Sequence, residues 1–531
     1  MPNKIDAQNL SHSALRFLTG TAISRVFGMI RDISMAFFFG TSGFIAAFFL
    51  AYRLSHLFRR IFAEGGLLNG FIPFFEEQKL KSDKSAHLFF RDLTASLIFI
   101  LTLLIVLIEC FIGVSFLVYG VNEVLLLVSI MMPSLLFICL YGLFSAYLHC
   151  QNRFFSSGVA PVIFNIVWII SAFFLRSFDL NLAVIGLSFM IVFAFGFQFL
   201  FVFKRAHSNF TSYLSLKEWL RPKLFSPEIK KMIAPFFIAT IGVSAVQING
   251  ALDALFSRFA SVEGPAYLSY GIRIQQLPLA FFAISIASVL LPKLSNSFQI
   301  KDFDSCKQLL NQALSGSLLF LIPSTFGILV LGTPIINLIF GHGNFNMVSV
   351  IKSSECFWAY ALALIPSALV IILAPAFYAQ KDYKSPTVFA LIIVGINIAF
   401  NATLIFVLKL GPYSVAITTA LASGLNAYFL FHKLSKQLGS FLSKSFYLLV
   451  AKVLVASILA LVATLFCYQI LSIKTYLPFC SEPTYLSKST VAQFKDFSLP
   501  FFTFIFAFLS SCFLLKVYEL KDFFKKTLNK Y

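Results

Sequence analysis

Residues 24–32 read SRVFGMIRD, and residues 51–66 read AYRLSHLFRRIFAEGG. Both lie inside apolar stretches, 13–40 and 43–75, that each read as one membrane-spanning helix. A charged side chain at the centre of such a helix costs roughly 2.5–3.5 kcal/mol even on the lenient insertion scale. Arg25, Arg31, Arg53, Arg59 and Arg60, with only Asp32 and Glu64 against them, therefore do not all face lipid. They are expected to line a wet or protein-filled interior. A mostly cationic cluster there implies an anionic cargo.

Bulk composition supports the membrane reading. Of 531 residues, 59% are hydrophobic and 12% charged, mean hydropathy is +0.87, and there are 68 phenylalanines. Soluble domains carry about 25% charged residues. The net charge of +19 sits mostly in loops, where it sets topology, so no nucleic-acid partner is expected. The polar opening, residues 1–17, leads straight into an arginine-bearing helix and carries no expected cleavable leader. The eight cysteines are scattered without CxxC or metal spacing and read as small apolar side chains. Neither a phosphate-binding Walker loop nor a triad-like motif occurs, and the longest polar loop, 204–231, is short and basic. Enzyme chemistry is not expected.

Stretches of about 20 apolar residues give about fourteen spans. They are 13–40, 43–75, 88–118, 122–148, 157–176, 182–204, 229–260, 266–297, 306–341, 350–380, 384–408, 411–435, 444–472 and 497–517. Loops after even-numbered spans are basic (Lys79, Lys81 and Lys84; Arg153; Lys204 to Lys231), as is the tail from Lys516 to Lys530. Both termini are thus expected on the cytoplasmic side. A parallel repeat is also expected: AYLHCQNRFFSSGVAP (146–161) matches AFYAQKDYKSP (376–386), and AYRLSHLF…NGFIPFF (51–75) matches SYGIRIQQLP…VLLPKL (269–294). Six spans separate the copies, so orientation is kept. The expected organisation is a six-helix lobe at 1–204, a linker at 205–228, a second six-helix lobe at 229–435, and two extra helices with a tail at 436–531.

Within the spans, Arg25 and Asp32 are seven apart and share a helical face, whereas Arg31 points away; Arg60 and Glu64 are one turn apart and can pair. Arg273 in the eighth span corresponds in the repeat to Arg53. Arginine suits a phosphate because its planar fork donates paired hydrogen bonds and keeps its proton. The competing reading is snorkelling to headgroups or structural ion pairing. A second constellation holds Asp253, Asn397, Asn401 and Thr418, whose oxygens suit a hard monovalent cation; an interhelical hydrogen-bond network, or pairing of Asp253 with Arg258, is the alternative.

SRVFGMIRD (24–32), HLFRRIFAEGG (56–66), CQNRF (150–154), LLPKLS (290–295), FGHGNF (340–345) and APAFYAQKDYKSP (374–386) resemble, in order and spacing, the MurJ (MviN) family of lipid II flippases in the multidrug/oligosaccharidyl-lipid/polysaccharide exporter superfamily. The resemblance implies an all-α fold of two six-helix lobes in a V, plus two helices bordering a groove for a lipid tail. It implies a multi-pass inner-membrane protein with no catalytic residues that moves lipid II to the outer leaflet. Its partners would be lipid II, membrane lipid and the peptidoglycan synthesis machinery. Substrate-binding residues carried over are Arg25, Arg31, Arg59, Arg273, Asp32 and Glu64, with Arg53 and Arg60 beside them. A sodium site carries over to Asp253, Asn397, Asn401 and Thr418, with an amide at Asn401 where the family has an acid. Ala46 and Gln276 likewise stand where the family usually has acids, which makes the cavity more cationic. Alternatives are a flippase for another polyprenyl-linked glycan, or a membrane scaffold for wall synthesis that transports nothing.

Overall fold

The structure, a computed structural model, describes residues 4–57, 59, 66–151, 153–210, 212–473, 475–478 and 489–519. Among these residues it is helical, with no strand. The elements in chain order are α1 Lys4–Phe39, α2 Gly43–Ser55, α3 Gly66–Lys81, α4 Asp83–Tyr119, α5 Glu123–Met131, α6 Ser134–Cys150, α7 Phe154–Leu175, α8 Leu180–Phe210, α9 Leu216–Trp219 and α10 Pro227–Ala260. They continue as α11 Gly264–Leu279, α12 Ser285–Gln299, α13 Phe303–Phe340, α14 Met347–Ala379, α15 Lys384–Ala402, α16 Tyr413–Leu438, α17 Lys444–Ile470 and α18 Thr490–Leu514. A π-helical turn, Ala280–Ile284, joins α11 to α12, and a second, Thr403–Val407, closes α15. Polar residues just ahead of the helices cap several of them: Ser82 accepts from the Ser85 N–H, Asp302 from Ser305, Asn346 from Ser349 and Ser443 from Phe446.

Eleven helices among the described residues are long and apolar enough to cross a membrane, so the expected count of fourteen is not reached. The three expected spans outside these eleven are 13–40, 43–75 and 229–260, each of which carries charged residues within its apolar run. The first and third of them lie within the unbroken helices α1 and α10. The second is not one helix. α2 stops at Ser55, and a turn follows at His56–Leu57, where the N–H groups of Leu57 and Arg59 each bond to the carbonyl three residues back, those of Leu54 and His56; α3 starts at Gly66. Arg60 and Glu64, with their expected pairing, lie outside the described residues.

The chain forms two compact units, residues 1–251 and 252–531. In the first, α1 lies along α7, with Gly20 at the closest approach: a Cβ there would sit 3.1 Å from the Gly158 carbonyl carbon. Its core is aromatic, with Phe90 stacked on Tyr147 at 4.3 Å and both fully buried. In the second, α14 is packed by α11, α13 and α16, and Gly271 lets α11 close on α14, where a Cβ would meet the Phe357 nitrogen at 3.1 Å. Helices α17 and α18 pair with each other and lie on α13. Cys139, Cys306, Cys356 and Cys512 are buried as small apolar groups.

The segment after α8 is fastened to the end of α4. Asp92 pairs with Arg91 at 2.6 Å and accepts the Lys223 N–H at 2.9 Å. Arg91 donates to the Glu218 carbonyl at 2.8 Å, and the Ser96 hydroxyl accepts the Phe225 N–H at 3.1 Å. Lys84 bonds the Glu218 carboxylate at 2.7 Å, and Ser215 donates to it from its N–H and its hydroxyl. Those bonds, Lys84 first, hold the Glu218 pKa down at about 2 against an ordinary 4.5. A depressed carboxyl pKa means stabilisation that is present above the unfolded value and lost as pH falls towards the folded one. Pepsin cleavage within 212–226, normalised to an unstructured peptide, should therefore rise as pH drops from about 4.5 to about 2. Glu218→Gln should flatten that profile. An unchanged profile in the variant would refute this role for Glu218.

Candidate functional site

Helix α1 brings Arg31 and Asp32 together rather than Arg25 and Asp32. Arg31 wraps back on its neighbour, with Nε and Nη2 donating to Asp32 Oδ1 at 3.0 and 2.7 Å. Its Nη1 donates to Asn165 Oδ1 of α7 at 3.1 Å, and Asn165 Nδ2 in turn donates to the Ser24 carbonyl at 3.3 Å. The guanidinium lies over the Trp168 ring at 4.6 Å, and the Trp168 N–H points to Met35 Sδ at 3.2 Å. Only 11% of the Arg31 side chain is exposed. Three of its five N–H donors are thus used, which leaves two for a further acceptor in a desolvated setting. Gly28 faces Asn165, where a Cβ would come within 3.9 Å of Nδ2. Arg25, two turns back, is exposed and forms no ion pair among the described residues.

The other expected arginines serve different ends. Arg53 is half-buried and donates to the Gly250 carbonyl at 3.0 Å, tying α2 to α10. Arg59 is partly buried just beyond the end of α2. In the second unit Arg273 is exposed on α11, with Gln276 exposed one turn further on.

Three of the four expected cation ligands meet in the second unit. Asp253 is buried, Asn401 Nδ2 donates to Asp253 Oδ1 at 3.2 Å and to Asn397 Oδ1 at 2.7 Å, and both amides are fully buried. The hydroxyl that reaches the acid is that of Thr419, at 3.1 Å from Oδ2, whereas Thr418 turns its hydroxyl back to the Ser414 carbonyl of its own helix. Asn401 Oδ1 is buried with no hydrogen-bond partner. A buried carbonyl oxygen without a donor costs roughly 1–3 kcal/mol, and a bound cation would remove that penalty. Arg258 donates to the Val262 carbonyl.

Sequence reasoning passed over Asn165, Trp168, Thr419 and Glu109. A buried amide in the apolar run of α7 was the available signal for the first. Glu109, an acid within the lipid-length helix α4, accepts a hydrogen bond from Ser129. Along α17 lies an apolar cavity of about 450 Å³ lined by Leu314, Leu318, Leu369, Phe431, Phe446 and Val450.

A family model described as lipid II flippase MurJ matches residues 35–486. The chain belongs to the MurJ family. A relative from Chlamydia pneumoniae, named probable lipid II flippase MurJ, is 30% identical over 98% of this chain and 95% of its own length. One of the same name from Rickettsia prowazekii is 31% identical over 80% of this chain and 83% of its own. Among solved structures, a lipid II flippase MurJ in an inward closed conformation aligns with a TM-score of 0.71 at 24% identity, covering 94% of this chain and 99% of that one. An inward-facing MATE-family multidrug transporter aligns at 0.64 and 13% identity, covering 81% and 98%. The expected all-helical, multi-pass membrane fold is therefore the one observed among the described residues.

The two threonines give a direct test of the second site. Thr419→Val leaves Asp253 one donor short and should cost about 1–3 kcal/mol in thermal unfolding of the detergent-solubilised protein. Thr418→Val, which removes only a bond within its own helix, should cost less than half as much. Equal losses would contradict the geometry.

Proposed function

We propose that this chain moves lipid II, the undecaprenyl-pyrophosphate-linked disaccharide-pentapeptide, from the cytoplasmic to the outer leaflet of the bacterial inner membrane. What supports this reading most is Arg31: a guanidinium fixed in a desolvated place by Asp32, Asn165 and Trp168, with donors to spare, in a chain of the MurJ family. Arg25, Arg31 and Arg59 of the first unit would hold the pyrophosphate. Arginine forks bind its oxygens without giving up a proton, so cargo is bound and released with no covalent step. The undecaprenyl tail would stay in lipid against α17 and α18, and the apolar cavity between α17 and helices α13, α14 and α16 offers it a surface.

In this reading the chain alternates between inward- and outward-open states, and both termini lie in the cytoplasm. Membrane potential supplies one bias, since a charge moved through 100 mV changes energy by about 2.3 kcal/mol. A sodium ion held at the second site would supply another. The oxygens of Asp253, Asn397, Asn401 and Thr419 form a donor set suited to it, with one carboxylate instead of two. Recruitment of peptidoglycan synthesis enzymes belongs to the same proposal.

The test is outer-leaflet exposure of lipid II in cells depleted of their own flippase and supplied with this chain or its Arg31→Ala form. The chain should restore exposure, and the variant should restore less than about a tenth of it while inserting equally well. If neither restores exposure although both insert, the flippase reading fails. If both restore it equally, the role given to Arg31 fails.

A further inference from the structure

The turn CQNRF (150–154) takes no part in the steps above, yet it borders a polar cavity of about 330 Å³ in the first unit. Lys79, Asp83, His87, Gln151, Arg153 and Tyr213 line it. That volume lies within the roughly 300–1,000 Å³ of small-molecule sites. One wall is held rigidly. His87 Nδ1 donates to the Asp83 carbonyl at 2.6 Å, Nε2 meets the Tyr147 hydroxyl at 3.0 Å, and the ring stacks on Tyr213 at 4.1 Å. With both ring nitrogens occupied, His87 shapes the cavity and leaves recognition to the cations.

Arg153 is set by its backbone: its N–H bonds to the Leu148 carbonyl at 2.9 Å, closing the end of α6. Its side chain reaches the Arg205 carbonyl only at 3.5 Å. Neither Arg153 nor Lys79 forms an ion pair among the described residues; Asp83 is the carboxylate among the lining residues, while Glu76, one turn before Lys79, is turned to the Cys150 thiol and does not line the cavity. The matching turn of the second unit, AQKDYKSP (379–386), is built differently. There Asp382 accepts the Ser385 N–H at 3.0 Å and lies 3.6 Å from Lys433 Nζ, so an acid of the turn balances the nearby lysine. The first unit has no such acid in its turn, and its cations point into a cavity instead.

We propose that this cavity binds a phosphate group, carried by an anionic glycerophospholipid headgroup or free as inorganic phosphate. Arg153 supplies a planar fork and Lys79 a point charge to the phosphate oxygens. The cavity sits where helices end and basic loops gather, the setting in which basic pockets take anionic lipid headgroups. It is an accessory site, separate from the residues assigned to the flipped cargo.

The test uses the full chain in neutral detergent, with retained lipid counted by native mass spectrometry. Short-chain phosphatidylglycerol is the probe, phosphatidylcholine the uncharged reference and inorganic phosphate the competitor. The tightest phosphatidylglycerol binding should weaken at least about tenfold in the Lys79→Gln/Arg153→Gln double variant and stay unchanged in Lys436→Gln. Arg153→Lys, which keeps the charge and loses the fork, should fall between. Displacement by millimolar phosphate would name the free ion as the ligand, and resistance to it the lipid headgroup. Equal phosphatidylglycerol binding by the double variant, equal binding of phosphatidylcholine, or an equal loss in Lys436→Gln would each overturn the proposal.

Discussion

A guanidinium inside a membrane protein must have its charge answered and its donors met, and the first unit is arranged around that demand. Arg31 is answered by the carboxylate next to it, by an amide from α7 and by an indole face. Loss of one partner from a buried charge pair costs about 3–5 kcal/mol, so Asp32 and Asn165 are structural necessities before they are anything else. Asn165 reaches Arg31 only because α1 and α7 run close, which Gly20 allows by leaving no Cβ against Gly158. A face of α7 that would otherwise be apolar thus presents a polar patch, and α1 keeps a cation that lipid would reject.

That arrangement divides the labour among the cations. Arg31 and Asp32 nearly cancel in charge, so their value to an anion lies in direction: fixed N–H groups with unused capacity. Arg25, exposed and without an ion pair among the described residues, contributes net positive charge. Arg53 is tied to the Gly250 carbonyl, while Arg273, its expected counterpart from the sequence, stands exposed. The two arginines thus have different surroundings, as do the turns that hold Arg153 and Asp382.

Composition and span length disclosed the all-helical membrane fold, because apolar stretches of about 20 residues leave few alternatives. They did not disclose where a span breaks. The run 43–75 reads as one long apolar stretch despite its charges, and hydropathy is blind to the turn at His56–Leu57. Spacing along a helix ranked Arg25 with Asp32, yet a long flexible arginine folded onto its immediate neighbour, a choice decided by Asn165 and Trp168 from far along the chain. Thr418 and Thr419 differ by one helical step of about 100°, which is finer than a single sequence resolves without knowing which face α16 turns to Asp253. Residue types at the second site were legible; the register was not.

Arg31 is thus a prepared anion-binding group rather than a structural bond alone. Its most direct test is equilibrium binding of lipid II to the purified full chain in nanodiscs, comparing the native protein with Arg31→Lys. The lysine keeps the charge beside Asp32 but loses the planar fork, so affinity should fall at least about tenfold while the thermal midpoint moves little. Affinity within twofold of the native value would contradict the account.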